Sequence, residues 1–173
     1  MTEKTMTLAE ALSLKKSLER KIDKRIQKIK LAYIPVNGKD LVEHEKEYKE
    51  YVLKMKSTYQ SLETIRKNYE ILSCAIVAAN AKTKTDLVNE LTQQPYTISD
   101  LLCILSDNTA DKISKSLNNG YFKARSKMDA FIDPFGEELR DEAYATNEDF
   151  KEEAKIAIEK ANAKKKIKVN FID

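Results

Sequence analysis

The hydrophobic residues in the middle of the chain recur at alternating spacings of four and three. Thr58 is the one polar member of a series whose other positions share one side of a helix: Tyr51, Met55, Leu62, Ile65, Tyr69, Leu72, Ile76 and Ala79. This is the heptad spacing of a helix that packs along another helix. Neither Pro nor Gly occurs in residues 40–79, so the pattern predicts one uninterrupted helix. Its apolar seam must be covered by other helices of this chain or of a second copy.

A segment nearer the start predicts another amphipathic helix. Thr7 and Glu10 have the spacing of a capping box, in which each side chain accepts a hydrogen bond from the backbone N–H of the other residue. The predicted helix runs to about Lys30, with these apolar residues along one side: Leu8, Leu12, Leu14, Leu18, Ile22, Ile26 and Ile29. Two helices with apolar faces of the same kind predict an antiparallel helical hairpin.

The second half of the chain predicts several shorter elements. Thr97 and Asp100 repeat the capping spacing, and Gly120 suits the left-handed conformation that ends many helices. The predicted helical segments are residues 86–91, 98–117, 121–132, 137–145 and 146–163. The tail from Ile167 to Ile172 alternates apolar and polar residues as a strand does, and a strand must pair to satisfy its backbone groups. Ala32–Val36 is the expected partner.

These patterns, together with three Gly, three Pro and no Trp, predict an all-α protein. We expect an elongated antiparallel helical hairpin or coiled coil, with additional C-terminal helices and a short C-terminal strand. Residues 1–120 would form the long hairpin and third helix, and residues 121–173 a C-terminal extension of the same structural unit. A chain of 173 residues is long enough for one such domain with a real core.

Charge is unevenly distributed along the chain, although the formal net charge is only +3. Residues 15–30 hold eight Lys and Arg against Glu19 and Asp23, whereas residues 129–153 hold ten Asp and Glu against Arg140 and Lys151. Such blocks can pair within the chain or between subunits, or they can form two solvated helix faces. The small net charge alone does not indicate a nucleic-acid partner.

Few residues suit catalysis. His44 is the only histidine and stands among glutamates on a predicted helix, and the sequence has no Gly-rich phosphate loop. Cys74 and Cys103 each lie in an apolar pattern, which predicts reduced cysteines in the core. The first residues lack an apolar signal segment, and no run reaches transmembrane length. We therefore expect a cytoplasmic protein that is not an enzyme, has no catalytic residues, and binds neither metal nor cofactor.

The polar stretch that interrupts the helices is the candidate ligand site. It precedes the predicted helix start at Thr97, and backbone N–H groups at a helix start, hydroxyl groups and Lys side chains together suit phosphate. The candidate residues in this part of the chain are Asn80, Lys82, Thr83, Lys84 and Thr97. A stacking ring and further cations would come from Tyr121, Arg125 and Lys127. The alternative interpretation is a connector whose polar residues face water.

The order of these motifs resembles the septicolysin-like family of small helical bacterial and phage proteins. The similarity covers about residues 6–117 and rests on the start Met6–Leu12, the helix end Ile76–Asn80 followed by Thr83, and Thr97–Leu102 followed by Asp107. Ser106 stands where the family pattern has an Arg. The resemblance implies an elongated, self-associating helical protein and no established reaction.

Three functions remain open at this point. The leading hypothesis is a homo-oligomer that binds and sequesters an anionic small molecule such as a nucleotide signal, as a phage counter-defence protein would. The alternative is nucleic-acid binding through the basic first helix and the Lys164–Lys168 tail, which would weaken steeply with salt. A coiled-coil adaptor that binds another protein through the long seam is the third. None of the three requires a membrane.

Overall fold

The computed structural model describes residues 1–29, 41–107, 109, 111, 112, 116 and 136–173, with side chains described from residue 44 in the second helix and from residue 145 in the last. In chain order the elements are β1 (Thr2–Thr7), α1 (Leu8–Ile26), α2 (Leu41–Lys82), β2 (Lys84–Asn89), β3 (Gln94–Thr97), α3 (Ile98–Ser106), α4 (Gly136–Lys164) and β4 (Lys166–Phe171). They form two compact units. The first unit is Met1–Ala79 with Lys165–Asp173, and the second is Asn80–Lys164.

The all-α prediction is wrong, because the described residues include two antiparallel two-stranded sheets. Helices still predominate. The strands β1, β2 and β3 were missed because each sheet is small and these strands bury few side chains on one face, so their alternation of apolar and polar residues is weak. In β1 the buried residue is Met6. The predicted short helix at residues 86–91 is instead part of β2 and the turn that follows it.

The sheet of the first unit joins the two ends of the described chain. β1 and β4 pair from Thr2 opposite Phe171 to Thr7 opposite Lys166. Ile167 and Val169 are buried and Lys168 is exposed, so the period-two pattern of the tail correctly predicted a paired strand. The expected partner, residues 32–36, lies outside the described residues, and β4 pairs with β1 instead.

The long helix α2 confirms the prediction of one uninterrupted helix over residues 40–79. Its seam is buried at Leu72, Ile76 and Ala79, whereas from Tyr51 to Tyr69 it is half-buried. The described residues therefore cover the seam mainly near its C-terminal end. A coiled coil along its whole length is not part of the described structure.

Polar contacts join α2 to the other elements of the first unit. The Tyr69 hydroxyl donates to the Glu19 carboxylate of α1 at 2.9 Å, and the Lys15 ammonium lies 5.3 Å from the centre of the Tyr69 ring. The Asn68 amide donates to the Ile172 carbonyl at 2.8 Å and accepts from the Ile172 N–H at 2.7 Å. One side chain thus satisfies both backbone groups of Ile172, just past the end of β4.

The second unit is built around α3 and α4. Leu101 of α3 is fully buried with Ala154 and Ala157 of α4, and the rings of Tyr96 and Phe150 meet edge to face with centroids 6.2 Å apart. The predicted start of α3 is confirmed, and α4 is one continuous helix where two helical segments were predicted. The predicted helix at residues 121–132 and the predicted boundary near residue 120 fall outside the described residues.

Two further expectations concern single residues and the membrane. Cys74 and Cys103 are unpaired and exposed, so the prediction that they fill the core is wrong. Cys74 lies between Leu72 and Ile76 in sequence but off the buried side of α2. None of the described helices has the length and apolar character needed to cross a membrane.

Replacing Leu72 by Ala should destabilise the protein by about 2–5 kcal/mol, because it leaves a cavity where a fully buried side chain stood. Leu53→Ala is the matched control in the same helix, since Leu53 is 68% exposed and its loss should change stability by less than about 0.5 kcal/mol. Urea unfolding followed by circular dichroism measures both variants. Equal midpoints for the two variants would contradict the assignment of Leu72 to the core.

Candidate functional site

The α2–β2 corner, which we define as Asn80–Lys84, is the place where the predicted site residues meet. α2 ends at Lys82, Thr83 is the one residue between helix and strand, and Lys84 begins β2. Lys84 stands opposite Thr97 in the sheet, and the Ile98 N–H donates to the Thr83 carbonyl at 3.0 Å. The structure therefore brings Thr83, Lys84 and Thr97 together, although Lys84 and Thr97 stand 13 positions apart in sequence.

At the N-terminus of α3, Thr97 binds the carboxylate of Asp100, a residue of the same helix. The Asp100 N–H donates to the Thr97 hydroxyl at 3.1 Å, and Asp100 accepts from the Thr97 N–H at 2.8 Å and from the Thr97 hydroxyl at 2.7 Å. The backbone hydrogen bond from Thr97, followed by the side-chain hydrogen bond from the same residue, holds the pKa of Asp100 below its usual value. An anion at this corner would therefore have to bind to the lysine side chains, because the Asp100 carboxylate already accepts hydrogen bonds at the start of α3.

Two lysines of the corner are free to meet such an anion. Lys82 and Lys84 are exposed, and neither forms an ion pair within the part of the chain that the structure describes. The adjoining threonines are inside: Thr83 and Thr85 are buried, and the Thr85 hydroxyl donates to the Tyr96 carbonyl at 3.0 Å. The buried threonines therefore lie beside two exposed cationic side chains, those of Lys82 and Lys84.

Asn80 adds a buried acceptor to the corner. Its side-chain oxygen is inaccessible to solvent and has no hydrogen-bond partner among the described residues. Burying a carbonyl oxygen without a donor costs about 1–3 kcal/mol, and native proteins usually supply a donor from protein, water or ligand. Because this oxygen is closed to solvent, a donor for it must come from inside the protein rather than from a ligand on the surface.

The other three predicted site residues, Tyr121, Arg125 and Lys127, lie outside the described residues. Their contribution of a ring and two cations stays a prediction.

The sequence predictions missed a second copy of this corner. Ala161-Asn162-Ala163-Lys164-Lys165-Lys166 matches Ala79-Asn80-Ala81-Lys82-Thr83-Lys84 at every position except Thr83. The side-chain oxygen of Asn162 is also buried without a hydrogen-bond partner, and the residue is only 9% exposed. A comparison of the sequence with itself would have found this repeat.

The described residues of the two compact units carry formal charges of opposite sign. The described residues of the first unit hold 17 Lys and Arg against 11 Asp and Glu, a formal charge of +6. Those of the second unit hold 8 Lys and Arg against 14 Asp and Glu, a formal charge of −6. On α1 and the turn after it, Lys16, Arg20, Lys24 and Lys28 follow one another at intervals of four, all exposed and, within the described chain, without ion pairs.

A shallow cavity of about 420 Å³ lies elsewhere in the second unit, between the β2–β3 turn and α3. Its polar lining includes Asn89, Gln94 and Asp100, and none of the predicted site residues that the structure describes lines it. A carboxylate with amide groups suits a neutral or cationic molecule better than an anion. Among the described residues, no group of three or more His, Cys, Asp and Glu side chains could hold a metal ion.

No family model matches this chain, and neither does any curated protein or solved structure. The resemblance to the septicolysin-like family therefore depends on the motifs alone and stays a prediction.

Asp100→Asn should flatten the dependence of stability on pH in acid. Because the pKa of Asp100 is lower when folded, its contribution is complete above the ordinary carboxyl pKa of about 3.9 and is lost as the pH falls through the lowered value. Urea midpoints measured from pH 5 downwards should fall less steeply in Asp100→Asn than in the unaltered chain. Asp149→Asn, at an exposed position of α4, is the control and should keep the original slope; identical slopes for both variants would contradict this role for Asp100.

Proposed function

We propose that this protein is a non-catalytic binding protein for an anionic small molecule of the nucleotide class, and that it works as a homo-oligomer. The observation that carries the proposal is the α2–β2 corner, where the exposed Lys82 and Lys84 lack acidic partners in the described chain. A nucleotide offers phosphate oxygens to these ammonium groups.

The absence of catalytic chemistry at the corner supports binding over turnover. Among the described residues, the nearest carboxylate along the strand is Asp86, which lies 4.0 Å from the ammonium of Lys164 and is exposed. Asp100 is committed to the N-terminus of α3. A general base must be free to take a proton from a substrate, whereas Asp100 already accepts hydrogen bonds from the Thr97 N–H and hydroxyl.

Self-association is supported by apolar side chains that α2 leaves exposed. Tyr48 and Tyr59 are each more than half exposed and stand about three helical turns apart, on the side of α2 that adjoins the half-buried part of the seam. Apolar groups on one side of a long helix are suited to packing against a second helix of the same kind. A second copy of this chain would cover them.

Replacing both Lys82 and Lys84 by Ala should weaken nucleotide binding by at least about tenfold, since each charge-assisted hydrogen bond lost is worth about 1.5–3 kcal/mol. The common ribonucleoside monophosphates and triphosphates are the probes, and isothermal titration calorimetry measures their Kd. Native mass spectrometry of the same sample gives the number of subunits and any nucleotide that co-purifies.

The control for this experiment is Lys54→Ala with Lys56→Ala, which removes the same charge from exposed positions of α2. It should leave the Kd unchanged. If none of these nucleotides binds to the unaltered chain, or if both double variants weaken binding equally, the proposal is wrong.

The charge separation favours nucleic acid as a second candidate ligand. The unpaired basic row on α1 belongs to the same compact unit as Lys4, Lys165, Lys166 and Lys168, all of which are exposed. Like charges four residues apart on a helix repel each other and destabilise the helix. A row without an acidic member therefore does not serve the stability of α1, and binding of a polyanion explains it better. The described acidic residues of α4 belong to the other unit.

Replacing Lys16, Arg20 and Lys24 by Ala should weaken the binding of a fluorescein-labelled DNA duplex and reduce its salt dependence. Each lost phosphate contact lowers the slope of log Kd against log salt by about 0.9. Fluorescence anisotropy at several salt concentrations measures both quantities. The triple variant Lys46→Ala, Lys54→Ala, Lys56→Ala carries the same charge change on α2, and an equal loss in that variant would show that only net charge matters.

A further inference from the structure

We infer that the chain consists of two equivalent halves that are binding partners for each other: a first half, residues 1–91, and a second half, residues 92–173. When the turn between the halves opens, a second copy of the chain becomes the partner, and two copies exchange halves to form a dimer. This exchange requires no ligand at the α2–β2 corner.

The described elements of the two halves follow the same order. The first half contains a strand, a helix, a long helix and a strand, which are β1, α1, α2 and β2, and the second half repeats this order with β3, α3, α4 and β4. The ends of the two long helices also match in sequence, because seven of the ten residues 75–84 recur at residues 157–166. A repeat of both sequence and structure at corresponding places indicates the duplication of one segment.

The first strand of each half leads into a helix through the same capping box. The Thr7 N–H donates to the Glu10 carboxylate at 2.7 Å, and the Thr97 N–H donates to the Asp100 carboxylate at 2.8 Å. In return, the Glu10 N–H donates to the Thr7 hydroxyl at 3.2 Å, and the Asp100 N–H donates to the Thr97 hydroxyl at 3.1 Å. Capping boxes are common at helix starts, so the equivalence of the halves depends on what pairs with each cap.

The two caps pair with equivalent residues of the opposite half. Thr7 of the first half lies opposite Lys166 of the second, and Thr97 of the second half lies opposite Lys84 of the first. Lys84 and Lys166 are the last residues of the two matching ten-residue segments. Each half therefore presents the end of its long helix to the cap of the other half in the same register.

The residues that precede these two lysines are equivalent as well. The Leu8 N–H donates to the Lys165 carbonyl at 2.8 Å, and the Ile98 N–H donates to the Thr83 carbonyl at 3.0 Å. Leu8 and Ile98 are both fully buried. The cap, the register and the helix-start hydrogen bond thus agree between the two arrangements.

Each half needs the other to satisfy its strands. Among the described residues, β1 pairs with β4 and β2 pairs with β3, so neither half pairs its own two strands. Leu87 of the first half packs against the buried cluster that contains Leu101 and Ala154 of the second half. The Asn68 side chain of the first half binds both backbone groups of Ile172. A separated half leaves two strands without hydrogen-bond partners, and the complementary half is the surface that restores them.

The turn that joins the halves, residues 90–93, contains a strained residue. Gln93 has a φ of 55°, and among the described residues other than glycine it is alone in having a positive φ. A side chain with a Cβ disfavours this left-handed conformation. The Gln93 N–H donates to the Asn89 carbonyl at 2.8 Å, which closes the turn. Opening the turn into extended chain relieves Gln93, and a second copy then supplies every contact between halves that the opening removes.

The test reports which chain supplies β4 to β1. Thr5 and Lys168 lie directly opposite each other in that sheet and are both exposed, so Thr5→Cys with Lys168→Cys places two cysteines within reach of a disulfide. Cys74→Ser and Cys103→Ser remove the other two thiols. On a non-reducing gel, the disulfide stays within one chain when the halves of one chain pair, and it joins two chains when two copies exchange halves.

Gln93→Pro, made in this reporter chain, should shift the disulfide from within one chain to between two chains. Proline fixes φ at about −65° and has no N–H, so the closed turn is lost while extended chain is permitted. Gln93→Gly is the matched control, because glycine adopts the φ of 55° without strain and should keep the disulfide within one chain.

If the disulfide of Gln93→Pro stays within one chain, or if Gln93→Gly exchanges as readily, the inference is wrong. Self-association through α2, as proposed above, leaves the disulfide within one chain in both variants, so the two kinds of association are distinguished.

The reporter chain with an unaltered turn gives a second measurement in case Gln93→Pro does not fold. It is reduced, unfolded in urea, refolded at increasing protein concentrations and then oxidised. The share of chains joined in pairs should rise with concentration, because exchange needs two molecules whereas pairing within a chain does not. A share that stays at zero at every concentration overturns the inference.

Discussion

The structure depends on how the strands and helix starts satisfy backbone groups that a helix alone leaves unpaired. The first N–H groups of any helix have no partner within it. Here the Leu8 N–H donates to the Lys165 carbonyl at 2.8 Å in the first unit, and the Ile98 N–H donates to the Thr83 carbonyl at 3.0 Å in the second. In each unit this bond ties the start of one helix to the residue where another long helix has just ended, so a distant segment of the chain completes the helix start.

This arrangement explains which elements could be predicted from the sequence. The helix starts at Thr7 and Thr97 depend on a carboxylate three residues away, and an interaction that local is visible in the sequence. The strands depend on partners far along the chain: β1 pairs with β4 across more than 150 residues, from Thr7 opposite Lys166. The alternation in β4 predicted a strand but could not identify its partner, and β1, in which Met6 is the buried residue, gives little periodic signal of its own.

The candidate site, like the helix starts, could be predicted only where its residues lie close together in sequence. The polar interruption after α2 marked the corner, because hydroxyls, amides and lysines between two apolar helices stand out in the sequence. The capping spacing of Thr97 and Asp100 already indicated that a carboxylate takes the start of α3, which leaves the lysines as the groups that face an anion. The repeat of the corner at residues 161–166 was missed because it appears only when two distant segments of the chain are compared.

A nucleic acid and a small nucleotide need different binding surfaces, and the charge distribution indicates where each could bind. A polyanion needs an extended basic surface, which the exposed residues of α1, β1 and β4 provide in the first unit. The second unit carries a formal charge of −6 in its described residues, so long-range attraction there works against any anion. An anion at Lys82 and Lys84 would therefore depend on short-range, charge-assisted hydrogen bonds to these two side chains.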